Sequence, residues 1–241
     1  MNYSYPLLTL SYLTTAVTSP GRWWLNLRAR CKCWLWRALM NGAAGAKRTF
    51  DIGVSVAALV LLGPLFLLIG LLIKMEDGGP VIFDQIRVGK FGREFKMYKF
   101  RSMRPDAEAQ LQEVLVQNHH REGVTFKIKD DPRLTRVGKW LRKFSFDELP
   151  QFFNVLKGDM SLVGPRPPLP REVAFYSLAD RRRLAILPGI TCFWQIGGRS
   201  DIDFSGQVKL DVQYIETWSF ATDLKILLKT VPAVLSGKGA C

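Results

Sequence analysis

The run from Ile52 to Ile73, IGVSVAALVLLGPLFLLIGLLI, holds twenty-two residues without a charge. As a helix it would be roughly 33 Å long at ~1.5 Å per residue, enough to cross the ~30 Å hydrocarbon core of a bilayer. A buried core helix is the alternative, but soluble cores seldom need a helix that is apolar all the way round, so the segment is read as membrane-contacting. Gly63-Pro64 stands near its centre. Pro64 cannot donate to the Val60 carbonyl and crowds that turn, which predicts a kink. A kinked apolar segment can cross the bilayer or turn back.

Charge chooses between the two. The chain has 34 Lys+Arg against 21 Asp+Glu, a net charge of +13. Its first fifty residues carry seven cations (Arg22, Arg28, Arg30, Lys32, Arg37, Lys47, Arg48) and no acid, and Lys74 to Arg104 holds eight Lys/Arg against four Asp/Glu. Short basic flanks stay cytoplasmic, so a straight span would export one of them, whereas a helix–break–helix hairpin keeps both inside. The hairpin is favoured. Residues 22–37, RWWLNLRARCKCWLWR, interleave four Trp with five cations, the composition of a helix in the headgroup region rather than of a signal peptide. A disordered basic tail is the other reading. NGAAGA, Asn41 to Ala46, reads as a linker.

The apolar content of 48% excludes intrinsic disorder. Four scattered cysteines (Cys31, Cys33, Cys192, Cys241) exclude a disulfide framework and fit reduced cytosolic thiols, and the adjacent His119 and His120 make no zinc site with them. Basicity this strong implies an anionic partner: nucleic acid, a phosphorylated small molecule or anionic lipid. No zinc-finger or RNP pattern occurs, which argues against nucleic acid, and no GxGxxG or GxxxxGK[ST] occurs, which argues against a Rossmann or P-loop site.

Beyond Ile73 the turns DGGP and VGK separate two alternating stretches, PVIFDQIRV and REFKMYKFRSM, which predict a small hairpin. Helices are expected over Asp106 to Gln117, Leu134 to Phe144, Gln151 to Leu156, Arg171 to Ala185, Val208 to Thr217 and Thr222 to Leu235. SLVGPRPPLP reads as loop, and PGITCFWQIGGRS as turn and short strand. The fold class is α+β, mainly helical, divided as residues 1–46 (basic segment and linker), 47–74 (membrane helix) and 75–241 (catalytic body).

The densest polar cluster in an apolar frame is KWLRKFSFDELPQFFNVLKGDMS. Asp147 and Glu148 follow Lys139, Arg142 and Lys143 and precede an apolar run. Ser145 and Glu148 have capping-box spacing, though Pro150 moves the expected helix start toward itself. At a helix N-terminus the dipole lowers a carboxylate pKa and attracts phosphate, and two adjacent carboxylates invite a divalent metal. A lone Asp-Glu is usually a capping pair. Here Lys99 and Arg101 in YKFRSM, Arg166 in GPRPP and Arg199 in GGRS add cations on stiff or glycine-marked loops, which suits a phosphoanhydride.

These residues resemble a known family. KRTFDI, the central Pro64, YKFRSM, FSFDELPQFFNVLKGDMSLVGPRP, LPGITCFWQIGGRS and KLDVQYIETWSF are similar, in this order, to the sugar-transferase domain of the bacterial monotopic polyprenyl-phosphate phosphoglycosyl transferases, from Lys47 to the C-terminus. The resemblance implies transfer of a sugar 1-phosphate from a UDP-sugar to polyprenyl (undecaprenyl) phosphate with release of UMP, through an aspartyl phospho-sugar, in surface-glycan synthesis. It implies Mg²⁺ held by Glu148 and Asp147, and a monotopic protein of the inner membrane whose re-entrant helix leaves a small catalytic domain on the cytoplasmic face. By position, Asp147 matches the nucleophile and Glu148 the metal-associated acid. Arg142, Arg166 and Arg199 match basic positions near the phosphates. Lys47-Arg48 and Asp51 match the entry motif, where Arg48 and Asp51 at i, i+3 could hold the helix at the interface. Leu187 and Cys192 depart from the usual Arg and Gly. A non-catalytic scaffold of the same fold and a membrane-tethered basic binding protein are the rival readings, with the sugar, the glycan pathway and any homo-oligomer left open.

Overall fold

The computed structural model describes residues 42–107, 131–198 and 202–236. Arg199, the histidine pair, the Trp-rich residues 22–37 and nearly all of the expected helix from Asp106 to Gln117 lie outside them. The chain divides into two compact units, Met1–Lys47 and Arg48–Cys241. In the first, the described residues 42–47 are helical.

The second unit begins with a bent helix pair, α1 (Gly42–Leu61, which starts in the first unit) and α2 (Gly63–Asp77), meeting at 60°. The break has a local cause. Leu62 still donates to the Ala58 carbonyl at 2.8 Å, but Pro64 has no N–H for the next bond and instead occupies the first turn of α2, where none is needed. No single helix among the described residues is long and apolar enough to cross a membrane. α2 ends at Gly78, whose φ of 70° closes the helix with a left-handed cap.

The expected hairpin forms as β1 (Ile82–Val88) and β2 (Glu94–Phe100), antiparallel, with Phe83 opposite Lys99 and Gln85 opposite Met97. α3 (Arg136–Lys143) is capped by the Thr135 hydroxyl, which accepts from the Gly138 N–H at 2.9 Å. A 3₁₀ turn (Phe146–Glu148) leads to α4 (Gln151–Lys157), which runs along the outer edge of β2. Its Asn154 occupies that edge, accepting from the Tyr98 N–H at 2.9 Å and donating to the Lys96 carbonyl at 2.6 Å.

Two expectations change beyond this point. Ser161–Val163, read as loop, forms β3, and it pairs in parallel with β4 (Gly189–Thr191). A three-residue strand buried on both faces shows no alternation and is invisible to periodicity. The single helix expected from Arg171 to Ala185 is a one-turn α5 (Pro170–Val173) and a 3₁₀ turn (Asp180–Leu184), divided where the Ser177 N–H and hydroxyl both bond the Asp180 carboxylate. α6 (Phe193–Gly197), α7 (Phe204–Glu216) and α8 (Phe220–Ser236) complete the body. The architecture is α+β and mainly helical, as expected.

One apolar core joins β2, α4, β3, α7 and α8 through Met97, Val155, Leu162, Tyr214 and Ile226. A second joins α2 to the body through Ile69, Ile73, Phe100 and Leu141. The Glu76 carboxylate at the end of α2 also accepts the Arg136 and Val137 N–H groups that open α3. At the other end of the pair, Arg48 donates to the Val155 and Leu156 carbonyls at 2.6 and 3.0 Å, and Asp51 accepts from the Leu162 N–H at 3.3 Å. Arg48 and Asp51 thus reach into the body, farther than an i, i+3 spacing alone suggested.

Candidate active site

Four segments converge on Asp147 and Glu148. β2 brings Lys99, α3 brings Arg142, the 3₁₀ turn carries the two acids, and the proline loop after β3 brings Arg166. Lys99 Nζ lies 2.7 Å from Glu148 Oε1 and 3.8 Å from Asp147 Oδ2, and Arg166 Nη1 donates to the same Glu148 oxygen at 3.2 Å. Arg142 donates through Nε to the Ser102 hydroxyl at 3.0 Å, and its charge acts on Asp147. The loop is stiff because its carbonyls are engaged on both sides: Gly189 N–H bonds the Pro165 carbonyl at 2.9 Å, and Val88 N–H the Pro168 carbonyl at 2.9 Å.

The two acids are not equivalent. Burial alone would raise Glu148, but Lys99 and Arg166 outweigh it and hold the carboxyl at about 2. Asp147 is pushed up, by burial first, against the opposing pull of Lys99 and with the Glu148 charge adding to the rise. For Asp147 this reverses the expectation that a helix end lowers the carboxyl, and Glu148 is lowered by its cations. The acids sit in a turn of their own ahead of Pro150, and Ser145 makes no side-chain cap. Ser145 is held at φ 55°, a left-handed conformation that costs an L-residue about 1 kcal/mol and turns the chain so that the acids face inward. Glu148 keeps a compensated charge, and Asp147 carries the less compensated one.

The pair lies in a cleft of about 1080 Å³, whose walls include Lys99, Arg142, Arg166, Phe83, Tyr176 and Trp194. Arg101 borders this cleft but turns to Asp77 at the end of α2, so it fastens β2 to the helix pair instead of joining the acids. Arg199 lies outside the described residues. Among the described residues no group of three or more His, Cys, Asp or Glu gathers to hold a metal. Sequence reasoning passed over Gln85 and Arg87. They share a face of the hairpin with Lys99, which the alternation of the two strands would have revealed once their register was drawn. Cys192 is buried, and its thiol donates to Gln195 Oε1 at 3.1 Å.

The sequence model for bacterial sugar transferases matches residues 42–237, which include the bent helices, both acids and every basic residue around them. The chain belongs to the bacterial sugar transferase family. This sugar transferase is 53% identical over 196 residues to the galactosyl transferase CpsE of Streptococcus agalactiae, a match covering 81% of this chain and 43% of CpsE. It is 44% identical over 197 residues to the undecaprenyl-phosphate galactose phosphotransferase of Salmonella typhimurium, covering 80% of this chain and 41% of that one. Against the exopolysaccharide production protein ExoY of Sinorhizobium fredii it is 42% identical over 198 residues, covering 81% and 88%. The sugar transferase therefore spans less than half the length of the first two relatives and nearly nine-tenths of ExoY.

Proposed function

We propose that the chain transfers a sugar 1-phosphate from a UDP-sugar to undecaprenyl phosphate, releasing UMP, as the first membrane step of exopolysaccharide synthesis. The observation that carries the reading is the pair of adjacent carboxylates of unequal charge compensation within a cationic cleft, at the base of a bent apolar helix pair. Glu148, tied to Lys99 and Arg166, is a fixed anion that keeps two phosphate-binding cations in place. Asp147 is the free nucleophile.

The reaction is a double displacement. An Asp147 carboxylate oxygen attacks the β-phosphorus of the donor, the bond from that phosphorus to the bridging oxygen breaks, and UMP leaves with the electron pair. A phosphate oxygen of the lipid then attacks the same phosphorus and releases the Asp147 carboxylate, leaving a lipid-linked diphosphate sugar. Lys99, Arg142 and Arg166 meet the charge that grows on the phosphate oxygens and on the leaving UMP.

Mg²⁺ fits the donor set. Both cations donate to Glu148 Oε1, and among the described residues Oε2 accepts no hydrogen bond, which leaves it and Asp147 as hard oxygen ligands beside the substrate phosphates. When bound, the ion would neutralise diphosphate charge.

A re-entrant membrane helix is supported by three features. Arg48 to Leu61 is fourteen residues of α1, about 21 Å at ~1.5 Å per residue, short of a ~30 Å hydrocarbon core. Both ends of the pair are pinned to one body, by Arg48 at the start and by Glu76 and Asp77 at the end. The apex exposes Val60, Leu61 and Leu67 by 71, 77 and 78%, apolar surface that lipid would cover. The acids then sit at headgroup depth on the cytoplasmic face of the inner membrane, within reach of a soluble donor and a lipid acceptor.

The test is to incubate detergent-solubilised protein with a panel of UDP-sugars, with and without undecaprenyl phosphate, in Mg²⁺. UMP release that requires the lipid for turnover, and a phospho-sugar adduct on the peptide FSFDELPQ when lipid is withheld, is the expected result. No UMP from any donor would remove the reading, and an adduct elsewhere would remove Asp147 as nucleophile.

A further inference from the structure

Arg87 stands in the wall of the same cleft, and, like Arg142 with its Ser102 hydroxyl, it has no carboxylate as hydrogen-bond partner among the described residues. Lys99 and Arg166 each reach Glu148, Arg101 reaches Asp77 and Arg133 reaches Asp131. The partners of Arg87 are neutral: Nε and Nη2 donate to Gln85 Oε1 at 3.1 and 2.7 Å, and Nη1 donates to the Pro167 carbonyl at 3.0 Å. Among the described residues no carboxylate lies within ion-pair distance of it. A half-buried guanidinium without a counter-charge is costly to keep, and burial followed by the neighbouring Arg166 charge pushes it down to about 10, still a cation at neutral pH.

The three contacts use three of the five guanidinium N–H groups and leave one on each terminal nitrogen. They also fix the fork. Gln85 clamps one edge from the same strand, two residues away, and the Pro167 carbonyl belongs to the loop that presents Arg166. A fork held rigidly by neutral acceptors, with spare donors in a polar cleft beside a second guanidinium, is arranged for an anion that arrives from solution.

We propose that Arg87 is a phosphate-binding residue, forming with Arg166 a two-guanidinium cradle for the diphosphate of the donor. This rests on the reading of the chain as a phosphoglycosyl transferase. Gln85 is a positioning residue in the cradle, and the bond from Arg87 to Pro167 makes occupancy of the cradle and the placement of Arg166 on Glu148 a single arrangement. The Asp147 nucleophile, which neither guanidinium bonds, is left free to attack.

The experiment is equilibrium binding of UDP, and separately of inorganic pyrophosphate, to the full chain in detergent, with melting temperature and steady-state kinetics on the same samples. Arg87→Gln is expected to weaken both ligands roughly 10- to 100-fold, the loss of hydrogen bonds to a charged group, and to raise donor KM by a similar factor while the melting temperature stays within a few degrees. Arg87→Lys should recover part of the affinity because it keeps the charge without the fork, and Gln85→Leu should lose several-fold because the fork is no longer held. Wild-type affinity in Arg87→Gln overturns the cradle while leaving the transferase reading in place. Loss that tracks melting temperature across all three variants also overturns it. Arg87-dependent binding of pyrophosphate by a wild type that ignores UDP keeps the anion site and removes the UDP-sugar donor, and a wild type that binds neither ligand removes both.

Discussion

Lys99 Nζ sits 2.7 Å from Glu148 Oε1 and 3.8 Å from the neighbouring Asp147 carboxylate. That one-sided contact divides two adjacent acids into an anion that is held and an anion that is available. It follows from the strand: Lys99 leaves β2 on the face opposite Tyr98, and the strained turn at Ser145 presents Glu148 to it first.

Asp147→Asn and Glu148→Gln should each reduce turnover by at least about 1000-fold, since one loses the nucleophile and the other the anchor of two cations. Their effects on stability should be opposite. Glu148 is lowered from 4.5 to about 2, so it contributes stability, of order 3 kcal/mol, that is present above pH 4.5 and lost as pH falls toward 2. Glu148→Gln should therefore melt lower at pH 7. Asp147 is raised, so its ionisation costs stability as pH rises above the ordinary value of 3.8, and Asp147→Asn should melt at or above wild type at pH 7, with the difference fading below pH 4. Thermal melts from pH 3 to 8 check both signs.

Arg48→Ala removes two charge-assisted bonds to the last carbonyls of α4, the helix that follows the acids by two residues. A loss of about 1.5 to 3 kcal/mol is expected, with partial recovery in Arg48→Lys, measured by chemical denaturation in micelles.

A methyl group on Gly138 would stand 1.9 Å from the Ser102 carbonyl oxygen, where α3 crosses the chain leaving β2. Gly138→Ala should destabilise by about 1 to 3 kcal/mol and lower activity by displacing Arg142. Gly53→Ala, with nothing within 4 Å, is the control and should be neutral or stabilising. Denaturation midpoints with donor KM separate the two.

Cysteines placed at Ala44 and Arg93, in a background lacking the native ones, should be labelled from the same side of the membrane. Gly78 is unsuited to such a label because its φ of 70° strains any other residue. Pro64→Leu restores the missing donor and should straighten the pair, shifting a fraction of molecules toward opposite labelling. Opposite labelling in the wild type would exclude a hairpin.

The bend at Pro64, the hairpin and four of the expected helices were legible because each rests on a local rule: a missing N–H, an alternation bounded by turns, an apolar period. β4 was expected as the short strand in PGITCFWQIGGRS, but β3 and α6 were not legible, since elements of three to five residues carry too little period to register. The helix expected after Arg171 failed because Ser177 and Asp180 satisfy their own backbone and stop it.

For the site, the chain order of motifs identified Asp147, Glu148 and the cations, and composition tied them to phosphate. What sequence could not decide was which cation faces which acid. Lys99 is on β2 and Arg101 just past its end, two residues apart, yet Arg101 is spent on Asp77 and Lys99 on Glu148. Arg87, which lies in none of the motifs, enters the cleft because β1 pairs with β2 and the proline loop docks on β1. The inequality of the two acids is likewise tertiary. Burial and the direction of approach of a charge set a carboxyl's energy, and both are properties of neighbours brought from elsewhere in the chain. Sequence determined which groups are present and where the backbone must turn, and packing determined which charges remain unanswered and so available for chemistry.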